Sequence, residues 1–203
     1  LRINSAKDDA TGLGIATNYD KQIRGTNVAV RNASDAISKA QTNDGYAAQI
    51  HENLKRLYEI AVQLGGTASG AETTALVAEN ARIAGLTTAA TATTVDGNGT
   101  QVTGVSAVIA APTGLTAAAI TTDIGTVTTA RANYGADMVR FASAVATMQT
   151  ESVNLSASFS RIMDTDYAAE TASQARNNIL QQAGTAVLAQ ANQTPQSVLT
   201  LLR

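Results

Sequence analysis

Residues 120–166 read ITTDIGTVTTARANYGADMVRFASAVATMQTESVNLSASFSRIMDTD, a long helical pattern that no proline interrupts. Alternating steps of four and three residues from Ile120 to Asp166 meet fourteen positions, of which eleven are apolar. This alternation keeps one narrow apolar stripe on one side of a slightly underwound helix, which is typical of a coiled coil. A helix of this length measures roughly 70 Å, far more than a compact domain of this size needs. We therefore expect a second long helix as its partner.

A pattern of the same kind within residues 15–64 supplies that partner. Apolar residues recur in steps of three and four over residues 16–40 and again over residues 47–64. Asn43-Asp44-Gly45 separates the two runs, and a helix break at this point is the alternative. A helix absorbs the single irregular step as local overwinding. We predict one continuous helix over residues 15–64, which Gly65-Gly66 closes at its C-terminus.

The predicted fold class is mainly α: a long antiparallel helical coiled-coil rod with a small β-hairpin-containing insert and a C-terminal helix. The two long helices meet along an apolar seam, and no cofactor or metal is expected in it. The predicted seam residues are Ile23, Val30, Ile37, Ile50, Leu54, Leu57, Leu64, Tyr134, Met138, Phe141, Val145, Met148, Leu155, Phe159 and Ile162.

The segment 65–119 between the two long helices is rich in Thr, Ala and Gly. Apolar residues at helical spacing predict a short helix over residues 71–86. β-Branched residues flank Asp96-Gly97-Asn98-Gly99, which is a hairpin signal. Residues 105–109 could add one further strand. We therefore interpret 65–119 as an insert that combines a short helix with a β-hairpin.

The segment 166–203 returns to a helical pattern with few charges. From residue 176 to residue 202, Arg176 is the only residue with a charged side chain. Pro195 is expected to kink the helix or to start a turn. A helix this apolar needs burial, and the rest of the chain leaves no surface over to bury it. The predicted organisation is therefore an entry segment with a rod helix (1–64), the insert (65–119), a second rod helix (120–165) and a terminal helix (166–203).

Composition excludes several classes of function. The formal charge of −2 gives no basic footprint for nucleic acid. Cysteine is absent, so neither a disulfide framework nor a thiolate metal site is possible. No run of about 18 apolar residues is present, so no membrane-spanning helix is expected.

Two separated stretches resemble the bacterial flagellins. LRINSAKDDATGLGIA at residues 1–16 and the helix QIRGTNVAVRNASDAISKAQTNDGYAAQIHENLKRLYEIAVQ that follows it are similar to the N-terminal part of that family. SRIMDTDYAAETASQARNNILQQAGTAVLAQANQTPQSVLTLLR at the end is similar to the flagellin C-terminus. The resemblance covers residues 1–64 and 127–203, about two thirds of the chain.

The resemblance implies a structural subunit of the extracellular flagellar filament that self-assembles through its terminal helices, not an enzyme. It implies that the two long helices build the conserved rod domain and that 166–203 belongs to the filament core. It also implies that an N-terminal core helix precedes this sequence. The implied partners are other flagellin subunits, an export chaperone, the filament cap and, for some flagellins, a toll-like receptor. Neither nucleic acid nor membrane is implied.

Arg56, Tyr58, Glu59 and Ile60 lie on or near the outward side of the first long helix. A solvated face is the plain interpretation of these four residues. In flagellins the matching stretch contributes to contacts between subunits and to receptor recognition. The resemblance therefore makes these residues candidate subunit or receptor contacts.

Other motifs are better explained by structural roles than by catalysis or metal binding. His51 is the only histidine and flanks the seam, so it completes neither a zinc site nor a Ser-His-Asp triad. The acids Asp8-Asp9 and Asp164/Asp166 are expected to cap helices or to form salt bridges. The twelfth position from Asp96 is Ala107, where a calcium loop needs a glutamate.

Two alternatives to a filament subunit remain from the sequence. One is a hook–filament junction protein, which shares the same rod. The other is a surface-displayed binding or adhesion module whose threonine-rich insert contacts a glycan or a host receptor. The scarcity of aromatic residues weakens the second alternative, because sugar recognition usually depends on rings.

Overall fold

The computed structural model describes residues 1–87, 93–94, 101–102, 104, 109, 111 and 114–201. Four helices and two short strands follow one another along these residues. They are α1 (Ala10–Gln63), α2 (Ala71–Ala84), β1 (Thr93–Thr94), β2 (Gln101–Val102), α3 (Ala117–Met163) and α4 (Tyr167–Leu201). The mainly α fold class predicted from the sequence is confirmed.

The chain forms two compact units. The first contains residues 1–16 and 160–203, and the second contains residues 17–159. The second unit holds most of α1 and α3 together with the whole segment between them. Each unit is described separately below.

Helix α1 has clear signals at both ends. The Oδ1 atom of Asp9 accepts a hydrogen bond of 2.9 Å from the amide of Gly12, which is the geometry of an N-cap. At the other end, Gly65 and Gly66 adopt φ angles of 82° and 116°, and the Gly66 amide donates to the carbonyl of Ala61. These left-handed glycines end the helix, as the sequence predicted. The helix continues through Gly45, so the alternative of a break there is wrong.

Helices α1 and α3 run antiparallel within the second unit. Ala29 and Ala33 of α1 pack with Met148 of α3. Farther along α1, Asp44 accepts a hydrogen bond of 2.9 Å from Nε of Arg131. Residues with higher numbers on α1 therefore contact residues with lower numbers on α3, so the two helices run in opposite directions. The pairing of the two long helices is the one that the sequence predicted. Because Ala29 and Ala33 are almost fully buried, small side chains line this part of the contact.

The predicted seam residues differ in how deeply they are buried. Six of them are at most 2 % exposed: Ile50, Leu54, Leu57, Tyr134, Phe141 and Met148. Eight more are partly buried: Ile23, Val30, Ile37, Met138, Val145, Leu155, Phe159 and Ile162. Leu64 departs from the prediction, because its side chain is 55 % exposed. Leu64 follows Gln63, the last residue of α1, and therefore leaves the stripe as the chain turns.

The insert adds a third helix to the core of the second unit. Ile83 and Ala84 of α2 join the apolar cluster that also contains Ile50, Leu57 and Ile120. The two ends of the insert are joined by an antiparallel bridge between Thr67 and Thr116. This end of the unit is therefore a packing of three helices.

The predicted hairpin is present as two short antiparallel strands. Thr93 pairs with Val102, and Thr94 pairs with Gln101. The predicted turn Asp96–Gly99 and most of the further strand predicted over residues 105–109 lie outside the described residues. Ile109 is described and is buried in the apolar cluster.

In the first unit, the amide of Arg2 donates a hydrogen bond of 2.6 Å to the carbonyl of Met163. Helix α4 begins after Asp166, whose Oδ1 accepts hydrogen bonds from the amides of Ala168 and Ala169. Helix α4 continues through Pro195, so no turn starts there.

Candidate functional site

The candidate contact surface centres on Arg56, on the outward side of α1. Its Nε donates a hydrogen bond of 2.8 Å to Oε1 of Glu72, the second residue of α2. A second guanidinium nitrogen lies 3.4 Å from the other oxygen of Glu72, and a third donates to Glu59 over 3.1 Å. We call Arg56, Glu59 and Glu72 the Arg56 cluster. It joins two helices through one guanidinium.

The Arg56 cluster carries one positive and two negative charges and is therefore net negative. The hydrogen bonds to Glu72, and then to Glu59, raise the pKa of Arg56 above its usual value. The hydrogen bond from Arg56 lowers the pKa of Glu72, so its carboxylate is charged at neutral pH. All three side chains are about half exposed, so water and salt screen these attractions. The cluster thus presents a fixed polar surface without holding the fold together.

The four candidate contact residues do not share one face. Arg56 and Glu59 are exposed, and Tyr58 is 40 % exposed. Ile60 is 7 % exposed and belongs to the apolar cluster, so its predicted outward position is wrong. The apolar cluster that contains Ile60 also contains Ile83 of α2 and Ile120 of α3, so α1 packs against two helices here and its buried stripe is wider. Ile60 is therefore unavailable to a partner.

Glu72 is a member of the cluster that sequence reasoning missed. It lies sixteen residues after Arg56, in the first turn of α2. An acidic residue at that position is a common feature of helix N-termini. The presence of Glu72 in the sequence therefore indicated the start of a helix and did not indicate a contact with Arg56.

The paired acids serve as local acceptors. Oδ2 of Asp8 accepts hydrogen bonds from the amides of Asn4 and Ser5, and these bonds lower the pKa of the Asp8 carboxyl. Asp9 caps α1 and Asp166 caps α4, as described above. Oδ2 of Asp164 accepts a hydrogen bond of 2.7 Å from the hydroxyl of Ser160. Each carboxylate is thus used within its own turn or helix end.

His51 is partly buried, and its Nδ1 has no hydrogen-bond partner. Within the described part of the chain, no group of three or more His, Cys, Asp or Glu residues is placed to hold a metal ion. Over the same residues, no helix combines the length and the apolar character that crossing a membrane requires.

Helices α3 and α4 expose some of the largest apolar surface among the described residues. In α4, Ile179, Leu180, Val187 and Leu188 are each between 62 % and 66 % exposed, and Tyr167 is 80 % exposed. In α3, Val139 and Val153 are about 70 % exposed. The sequence predicted a need for burial in the C-terminal helix, whereas the two valines of α3 were not singled out.

Comparison with known proteins gives matches over the whole length of the chain. Residues 1–103 match the family model of the bacterial flagellin N-terminal helical region, and residues 117–202 match that of the C-terminal helical region. The chain is 37 % identical to a flagellin of Halalkalibacterium halodurans and 30 % identical to a flagellin of Bacillus subtilis. These alignments cover 100 % of this chain and 88 % and 89 % of the two relatives. It is also 33 % identical to a flagellar filament 31.3 kDa core protein of Treponema maltophilum, again over 100 % of this chain and 88 % of that protein.

Proposed function

The chain belongs to the bacterial flagellin family, and from this membership we propose how its helices serve the flagellar filament. As a flagellin it is a structural subunit that assembles with other flagellin subunits. The observation that carries this function is the match of both terminal helical regions, in order, within one chain. The reported relatives are flagellins and a filament core protein, so the junction and adhesion alternatives are not favoured.

We assign each part of the chain a role in the filament. Residues 1–64 and 120–165 provide the two rod helices, and 65–119 provide the insert between them in the chain. Residues 166–203 form the helix that enters the filament core. The proposal is supported by the depth of the α1–α3 seam, because buried residues such as Phe141 and Ile50 resist bending of the pair.

The exposed apolar side of α4 supports its assignment to the core. Four aliphatic side chains of this helix stay more than half exposed. Burial of the surface that is still exposed would gain each of them roughly 1–2 kcal/mol. In a polymer every subunit gains this free energy of burial. Many weak contacts between subunits therefore stabilise the filament without one strong binding site. Heterologous contacts whose rotation does not close a ring extend into an open helical filament.

The exposed members of the candidate contact surface have a different role in our proposal. Arg56, Tyr58 and Glu59 contact a neighbouring subunit, with Glu72 holding the guanidinium in place. The same surface is our candidate for recognition by a toll-like receptor, as the family resemblance implies. Both roles need exposed side chains of fixed geometry, and the hydrogen bonds of Arg56 provide that geometry. An export chaperone and the filament cap complete the proposed partners.

Substitution on α4 tests the assembly role. Leu180→Lys places a charge on the exposed apolar side of the helix, whereas Gln182→Lys places the same charge about 160° away around the helix. Each variant replaces the natural gene in the producing bacterium, and filaments are counted by negative-stain electron microscopy. We expect Leu180→Lys to abolish filaments and Gln182→Lys to leave them.

The outcomes separate the assignment of α4 from the function itself. Normal filaments with Leu180→Lys would contradict the assignment of α4 to the core. Deletion of the gene should remove filaments built from this subunit. Unchanged filaments after deletion would contradict the structural role in that bacterium.

A further inference from the structure

A chain of three side-chain amides lies in the contact between α1 and α2. Nε2 of Gln49 donates a hydrogen bond of 3.2 Å to Oδ1 of Asn53. Nδ2 of Asn53 donates in turn to Oδ1 of Asn80 over 2.8 Å. Asn53 is 8 % exposed and Asn80 is fully buried. The amide chain thus links two helices at a position where the remaining contacts are mainly apolar.

This arrangement has a cost. The Nδ2 atom of Asn80 is buried and has no hydrogen-bond partner. Burying a polar group without a partner is unfavourable, and an apolar pair of similar size would avoid the penalty. Stability alone therefore does not explain why two asparagines occupy this position.

The apolar contacts that hold α2 beside α1 do not by themselves select one alignment of the two helices. The helix has only 14 residues, and its N-cap Gly70 provides no side-chain cap. Gly65, Gly66 and Gly70, in the connection from α1, all adopt left-handed φ angles. Apolar contacts are not directional, so they change little when a short helix slides along its neighbour.

The amide pair discriminates between such positions. Sliding α2 by one helical turn moves it roughly 5.4 Å and separates Asn53 from Asn80. Each buried amide that loses its partner disfavours the displaced position roughly 5- to 150-fold. The ion pair between Arg56 and Glu72 is a weaker restraint, because both side chains are about half exposed and exposed ion pairs contribute little free energy.

We propose that the Asn53–Asn80 pair sets the register of α2 on α1 and does so at the expense of stability. A single buried polar residue has this role in coiled coils, where it selects one alignment among several. In this chain the selected alignment places Glu72 within reach of Arg56. Asn53 and Asn80 are therefore positioning residues for the surface between the two helices.

The test compares Asn80→Leu with the double variant Asn53→Leu/Asn80→Leu in the full chain. The single variant leaves Asn53 buried without its partner, so we expect its urea midpoint to fall. The double variant removes both amides, so we expect its midpoint to equal or exceed that of the natural chain. Ile83→Leu, a volume-conserving change at a buried position of α2, is the control.

The register is measured with spin labels. Because the chain has no cysteine, Lys55→Cys and Ala78→Cys provide two unique labelling positions, both exposed, on α1 and α2. Electron paramagnetic resonance then gives the distribution of distances between the labels. We expect one narrow distance in the natural background and in the Ile83→Leu control. In the double leucine variant we expect the population at a second distance to rise at least about 5-fold.

Two results would overturn the proposal. One narrow, unchanged distance in the double variant would show that the apolar contacts already set the register. A midpoint of the double variant below that of the natural chain, or failure to fold, would show that the pair contributes stability instead of reducing it.

Discussion

Truncation of Phe141 measures how strongly the seam holds α1 and α3 together. Phe141 is 0 % exposed, so Phe141→Ala removes a ring that is completely packed. A buried aromatic side chain covers at least roughly 150 Å², and at about 25 cal/mol per Å² this is worth roughly 4 kcal/mol. Measured losses for such truncations, which include the cavity left behind, are about 3–5 kcal/mol. We expect a loss of unfolding free energy in that range.

Val139→Ala is the matched control, because Val139 lies on the same helix and is 70 % exposed. We expect it to change the unfolding free energy by no more than about 0.5 kcal/mol. Equilibrium unfolding in urea, followed by far-ultraviolet circular dichroism, measures both variants. With a slope of roughly 2 kcal/mol per molar urea, Phe141→Ala should lower the midpoint by about 2 M. Equal midpoints for the two variants would refute the deep packing of α1 against α3.

Two further predictions concern the same pair of helices. Ala33 is 0 % exposed, so Ala33→Leu should overpack the contact and cost roughly 1–3 kcal/mol in urea unfolding, whereas Ser34→Leu at an exposed position should not. An equal loss in both variants would contradict the close approach of the helices. Burial raises the pKa of Tyr134, so the folded chain keeps this proton at a pH where the unfolded chain releases it. Stability should therefore fall as the pH rises above about 10, and Tyr134→Phe should reduce that fall in urea midpoints measured between about pH 9 and about pH 11. An unchanged pH dependence in Tyr134→Phe would contradict this prediction.

The periodic parts of the chain were predicted well because their signal is local and repeated. Helix α1 begins at Ala10, earlier than the predicted residue 15, because Asp9 provides a cap before the apolar pattern starts. Gly45 does not break α1, since α3 packs along this part of the helix and Asp44 is held by Arg131. At Gly45 the apolar repeat outweighed the nearby turn signal, whereas at the start of α1 the cap extended the helix beyond the repeat.

The candidate contact surface was predicted less well. A heptad pattern shows which side of α1 faces one partner, but it does not show that α2 also packs there. Ile60 was therefore placed outward although it is buried in an apolar cluster that includes residues of α2, and Glu72 was not connected with Arg56. Both errors have one origin, the position of a short helix whose own apolar pattern is weak.

The amino-acid sequence is sufficient to establish two long helices, the need of each for a partner helix and the flagellin signatures at both ends. Each of these features depends on intervals of three and four residues or on contiguous motifs, which are properties of the chain itself. The burial of Ile60, the contact of Arg56 with Glu72 and the pairing of Asn53 with Asn80 depend instead on where α2 lies. That position results from packing and hydrogen bonds between residues far apart in the chain, and no local pattern encodes it.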